Sequence, residues 1–83
     1  MPTVAIVEGV KVQFFAEEHP PPHFHAQFAE HRVQIEISSL RVLKGRLPPA
    51  KLSVVIKWAG SRREELLRTW RVVLAKQKPE KIK

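Results

Sequence analysis

Eighty-three residues, a formal net charge of +7 and no cysteine describe one small domain that no disulfide staples and in which no thiolate holds a metal. A core this thin invites help from self-association. No apolar run approaches the ~20 residues of a membrane span, and the first residues lack the basic and apolar regions of a secretory signal, so a cytoplasmic protein with no membrane partner is expected.

Thr3 to Val7 and Val10 to Phe15 are rich in β-branched and aromatic residues and flank Glu8-Gly9, which predicts a hairpin. Ala16-Glu17-Glu18 then leads into His19-Pro20-Pro21-Pro22-His23-Phe24-His25, which holds three of the four histidines and three of the seven prolines. The prolines favour a stiff, extended crossover that brings the chain to its next strand. From His23 to Phe28 and again from Arg32 to Ile37, apolar and polar residues alternate. The two apolar rows share a side only if even-numbered residues face odd-numbered ones, because a one-residue slip exports the whole row. A two-residue turn at Ala29-Glu30 meets that condition. It sets Phe24 opposite Ile35, Ala26 opposite Val33, His23 opposite Glu36 and His25 opposite Gln34.

Leu40 to Leu43 reads as a short edge strand and Lys44-Gly45-Arg46 as a turn. Leu47-Pro48-Pro49 marks a helix entry. From Ala50 to about Lys76 the period becomes helical, with Leu52, Val55, Ile56, Ala59, Leu66, Leu67, Trp70, Val73 and Leu74 on one stripe. The phase survives Gly60-Ser61, which favours one bent helix. Opposing it, Ser61-Arg62-Arg63-Glu64 reads as a capping box, and a straight helix of that span would reach roughly 40 Å. On a continuous helix Arg63 falls inside the apolar stripe and needs a carboxylate partner; a break turns it outward. The fold expected is α+β: an antiparallel sheet of four to five strands with a C-terminal helix, bent or broken near Gly60, packed on one face. Residues 1–76 form the compact domain, and residues 77–83 a frayed basic tail.

Two constellations could carry chemistry. His23 and His25 project from one strand face about 7 Å apart. With His19 or Glu36 as a third ligand they could hold a divalent cation such as zinc, leaving the open position of a catalytic site. Without metal, a histidine beside Glu36 could act as a general acid or base, as in a small ribonuclease. The second constellation is a basic surface on the helix, Arg62, Arg68, Arg71 and Lys76, suited to nucleic-acid phosphates. It belongs to a charge split. Through residue 40 two basic residues oppose five acidic ones; from Arg41 onward thirteen oppose three. Such a split serves a polyanion, a second copy of the chain, or plain solubility.

Met1-Pro2-Thr3-Val4, Glu18-His19-Pro20-Pro21-Pro22-His23-Phe24-His25, Leu47-Pro48, Trp58 and Arg63-Glu64-Glu65-Leu66-Leu67 through Trp70 together resemble the small bacterial domain-of-unknown-function 4160 family. The resemblance spans nearly the whole chain. It implies a sheet followed by helix, signature positions at His19, Pro21, Pro22, His23, His25, Trp58, Glu65 and Trp70, and no assigned activity. It also implies a neighbouring gene for another small protein, as in a toxin–antitoxin pair. Gly60-Ser61 departs from the stronger helix formers of relatives. The function expected is a non-catalytic module, with no resident cofactor, that binds a partner from a neighbouring gene or a second copy of itself. Its contact surface would be His19, Pro21, Pro22, His23, His25, Glu36 and Arg63. The alternatives are a nuclease, metal-dependent through His19, His23 and His25 or acid/base, and a nucleic-acid-binding regulator.

Overall fold

The computed structural model describes residues 3–16 and 18–82; Met1, Pro2, Glu17 and Lys83, which carry part of the expected domain start, crossover and tail, lie outside them. Five strands, β1 (Thr3–Val7), β2 (Val10–Gln13), β3 (His23–Phe28), β4 (His31–Glu36) and β5 (Val42–Gly45), precede two helices, α1 (Pro49–Gly60) and α2 (Arg63–Leu74). The strands pair in chain order as one antiparallel meander, so the fold is α+β. Glu8 and Gly9 have φ of 47° and 85°, the paired positive values of a two-residue hairpin turn.

The β3–β4 register is the one that parity requires: His23 faces Glu36, Phe24 faces Ile35, His25 faces Gln34 and Ala26 faces Val33. The apolar row joins one core. Val4, Val10, Val12, Phe14, Phe24, Ala26, Val33, Ile35 and Ile37 meet Leu47, Val55, Ala59, Leu66, Trp70 and Val73 there. At about 1.5–3 kcal/mol for each large side chain buried, this row dominates the stability of the sheet. Lys51 fastens α1 to the first hairpin: its ammonium donates to the Glu8 carbonyl at 2.8 Å and sits 4.8 Å from the Phe28 ring centre.

The helix is broken. Arg62, at φ −133° and ψ 23°, interrupts it, and no side chain caps α2. The expected capping box does not form, because the Ser61 hydroxyl donates backwards to the Trp58 carbonyl at 3.0 Å. The break also leaves Arg63 exposed at the start of α2, so it needs no buried carboxylate. Residues 77–82, expected to fray, return to the sheet, where the Ile82 amide donates to the Val4 carbonyl at 2.8 Å. Burying Ile82, which is 8% exposed, accounts for the return.

The last strand starts two residues later than its sequence pattern predicts. The amide of Leu40 donates to the Glu36 carbonyl and that of Glu36 to the Arg41 carbonyl, which closes a tight loop before β5. The register then shifts between Gln34 and Ile35. Gly45, expected in a turn, ends the strand instead. Its φ is +82°, and a Cβ there would lie 2.2 Å from the carbonyl oxygen of Arg32. Gly9 has a similar φ, but a Cβ would meet only the Phe28 ring edge at 3.4 Å. Gly45→Ala should therefore cost more than Gly9→Ala, for which the left-handed conformation alone costs about 1–2 kcal/mol. Denaturant unfolding of both variants measures this; equal losses would contradict the close approach of β5 to Arg32.

Candidate metal centre

Two-residue periodicity puts His23 and His25 on the side of β3 opposite Phe24, with ring centres 5.3 Å apart. The proline segment between β2 and β3 supplies a third group, Glu18, which is half-buried. One ligand atom from each of Glu18, His23 and His25 lies within 4.8 Å of the others. Glu18 Oε1 is 2.5 Å from His25 Nε2 and 3.7 Å from His23 Nε2.

The hydrogen bonds settle which nitrogen of His23 carries its proton. His23 Nδ1 lies 2.8 Å from the Pro21 carbonyl oxygen. A carbonyl only accepts, so Nδ1 is the donor; in the neutral ring Nε2 then presents a bare lone pair, and in the protonated ring it turns an N–H toward Glu18. That Nε2 is buried and has no hydrogen-bond partner, and the nearest carboxylate oxygen is itself an acceptor. A buried acceptor left in this state costs about 1–3 kcal/mol. The ring is 5% exposed, and its centre lies 5.1 Å from that of Trp70 on α2.

His25 is held from the other side. Its ring meets Phe15 in a T-shaped contact, with centres 4.4 Å apart. Burial pushes the His25 pKa below 6.5, against the opposing pull of the Glu18 hydrogen bond and charge, and the nearby His23 lowers it further. The centre thus presents two imidazoles and one carboxylate, the donor set of His₂Glu zinc sites.

The structure distributes the other sequence-derived candidates around this group. His19 is exposed and outside the cluster. Glu36 faces His23 across the ladder as expected, but its carboxylate accepts from the Ser39 hydroxyl. Pro21 and Pro22 contribute carbonyls: that of Pro21 orients His23, and that of Pro22 accepts from the Ile37 amide at 3.0 Å. Arg62 lies over the Trp58 ring, 5.0 Å from its centre. Arg68, Arg71 and Lys76 are exposed. Sequence reasoning missed Glu18 as a member of the cluster. It stands directly before His19 in the motif, but no strand alternation fixes where a loop carboxylate goes.

Beside the cluster, a cleft of about 640 Å³ opens on the polar face of the sheet, lined among others by Gln13, Phe15, Glu18, His25, Arg32 and Lys44. The registers set Gln13, His25, Gln34 and Lys44 in one row across β2 to β5. No described helix is long and apolar enough to cross a membrane.

No curated protein and no solved structure matches the chain. A family model, "Domain of unknown function (DUF4160)", matches residues 9–71, which takes in all three residues of the cluster, the cleft, all of α1 and most of α2. With the greater part of its length matched in this way, the chain belongs to the domain-of-unknown-function 4160 family.

Proposed function

We propose that this domain binds one divalent transition-metal ion, of which zinc is the type, through Glu18, His23 and His25, and keeps one coordination position open. The observation that carries this reading is the bare, buried Nε2 of His23 beside a carboxylate oxygen. A cation between the two acceptors turns a destabilising arrangement into a bonded one. Nitrogen donors favour zinc-class ions over magnesium or calcium, which prefer oxygen cages. The Pro21 carbonyl plays the outer part usual in such centres, holding the tautomer and ring plane of a ligating histidine.

Tetrahedral ligands at 2.0–2.1 Å from zinc sit roughly 3.3 Å apart. The 3.7 Å between Glu18 and His23 is near that value, and the 2.5 Å between Glu18 and His25 must open as a metal takes the place of their hydrogen bond. The three ligand atoms lie within 4.8 Å of one another, so the widest pair must close by about 1.5 Å to reach that spacing, and the depressed basicity of His25 favours the neutral ring that a metal needs.

A second reading, docking of a protein partner or of a second copy, draws on the exposure of His19, Pro20 and Pro21. It is compatible with the first because these three residues stand outside the ligand set. Metal binding is preferred, since it makes use of the buried Nε2 of His23, which has no hydrogen-bond partner, and of the carboxylate beside it.

Zinc titration of the metal-free protein by calorimetry tests the reading. One equivalent should bind. Glu18→Ala, His23→Gln and His25→Ala should each lose more than the ~10–100-fold that removal of an outer-shell partner costs. His19→Ala and Glu36→Ala should bind as the parent does. Circular dichroism of each variant separates lost binding from lost folding. No uptake at stoichiometric zinc, or a loss in His19→Ala with none in Glu18→Ala, would falsify the assignment. Zinc held at 100 times its Kd should also stabilise the protein by about 2.7 kcal/mol, read as a raised unfolding midpoint that a chelator reverses.

A further inference from the structure

The cleft that adjoins the metal centre carries a charge pattern of its own. Among the residues lining it, Glu18 is the sole carboxylate, and the centre as proposed commits that carboxylate to the metal. Two cations, Arg32 and Lys44, line the same space. Among the described residues neither has a carboxylate partner. Lys44 stands in the cross-strand row of His25, two strands away, and Arg32 faces Gln27, one strand across and two residues along from His25. With strands about 4.8 Å apart and 3.3 Å per residue along each, both heads lie within side-chain reach of the ligand group.

We propose that this cleft binds the phosphoryl group of a small phosphate monoester, with one phosphate oxygen at the open metal position and the others held by Arg32 and Lys44. The inference rests on the metal reading above and goes beyond it by naming the ligand class. A divalent ion, a guanidinium and an ammonium converging on one space form a phosphate clamp: the metal neutralises charge, Arg supplies a planar pair of donors and Lys a point charge. Carboxylates are met by the same cations, but a dianionic group with three terminal oxygens engages all three at once. The size of the cleft favours a small molecule over a polymer. About 640 Å³ falls within the range that encloses a metabolite-sized ligand. Phe15 supplies an apolar wall, and the amides of Gln13 and Gln34 supply neutral donors and acceptors for the organic part.

Phenyl phosphate, with benzoate and a single-stranded oligoribonucleotide as comparisons, tests this on the intact protein. Zinc affinity is measured first, on the parent and on Arg32→Gln and Lys44→Gln, which should bind zinc equally because neither residue is a ligand. The zinc-loaded parent should then take up phenyl phosphate at one site and more tightly than benzoate. Each of the two variants should weaken that binding about tenfold, as the loss of one charge-assisted hydrogen bond does. The zinc-free parent should bind phenyl phosphate more weakly than the loaded form. Failure to bind zinc overturns the metal reading and this one with it. Zinc binding without phenyl phosphate uptake, benzoate bound equally well, or variants that match the parent, overturn the phosphate assignment alone. Preference for the oligonucleotide, with affinity that falls steeply with salt and depends on Arg68 and Arg71 rather than on Arg32 and Lys44, assigns nucleic-acid binding to the helix surface and likewise overturns it.

Discussion

The hairpin of β3 and β4 decides where every side chain of the candidate centre points. Its turn is chemically poor: Ala29 takes φ 53°, a conformation that costs a non-glycine residue about 1–2 kcal/mol. The alternative is worse. A one-residue slip would carry one of the two facing rows, Phe24 and Ala26 or Val33 and Ile35, to the solvent side, and each large side chain contributes about 1.5–3 kcal/mol by its burial. Burial therefore overrides turn propensity, and the odd-numbered histidines are sent to the polar side as a consequence. The position of His23 and His25 follows from the hydrophobic residues between and opposite them.

That same placement creates a local conflict. His23 begins β3 where Trp70 of α2 closes over it, so its ring is shielded like a core residue while one nitrogen has nothing to bond. A leucine in its place would avoid the cost of an unpaired acceptor. The Pro21 carbonyl sharpens the conflict, because in the neutral ring it fixes the proton on Nδ1 and leaves none on Nε2 to donate to Glu18. In the reading proposed above, such a group is a receptor held ready for a cation. Local inconsistency of this kind, inside a fold that is otherwise consistent, is where function is expected to concentrate.

The sequence made the sheet legible because its signals are periodic. Alternation over His23–Phe28 and over Arg32–Ile37, combined with parity, leads to the observed pairs without reference to coordinates. It made the break between α1 and α2 only half legible. The apolar phase continues through Gly60-Ser61, and what interrupts the helix is the backbone at Arg62, whose conformation no periodic pattern encodes. The candidate centre divides in the same way. Alternation places both strand histidines, whereas the third member expected is His19 or Glu36. Those are the neighbours that sequence distance and strand register suggest. Glu18 instead arrives through a proline-stiffened loop that folds back over β3, and loops carry no register.

The edge of the sheet shows how the fold couples to the cleft. Gly45 lets β5 come within bonding distance of Arg32, whose carbonyl accepts from the Arg46 amide at 2.9 Å. A side chain at position 45 would push β5 away, and Lys44, the neighbouring residue on that strand, would move with it. Lys44 and Arg32 are thus positioned by one backbone contact, and that contact exists because a glycine occupies the single point where a Cβ cannot fit. The exposed strand at the rim adds little burial to the core, since all four of its residues are exposed. What its pairing with β4 does accomplish is to extend the polar row that begins at Gln13 and passes through His25, so that a cation stands at its far end. A strand that contributes little to stability but completes a charged wall is better explained by what the wall faces than by the core behind it.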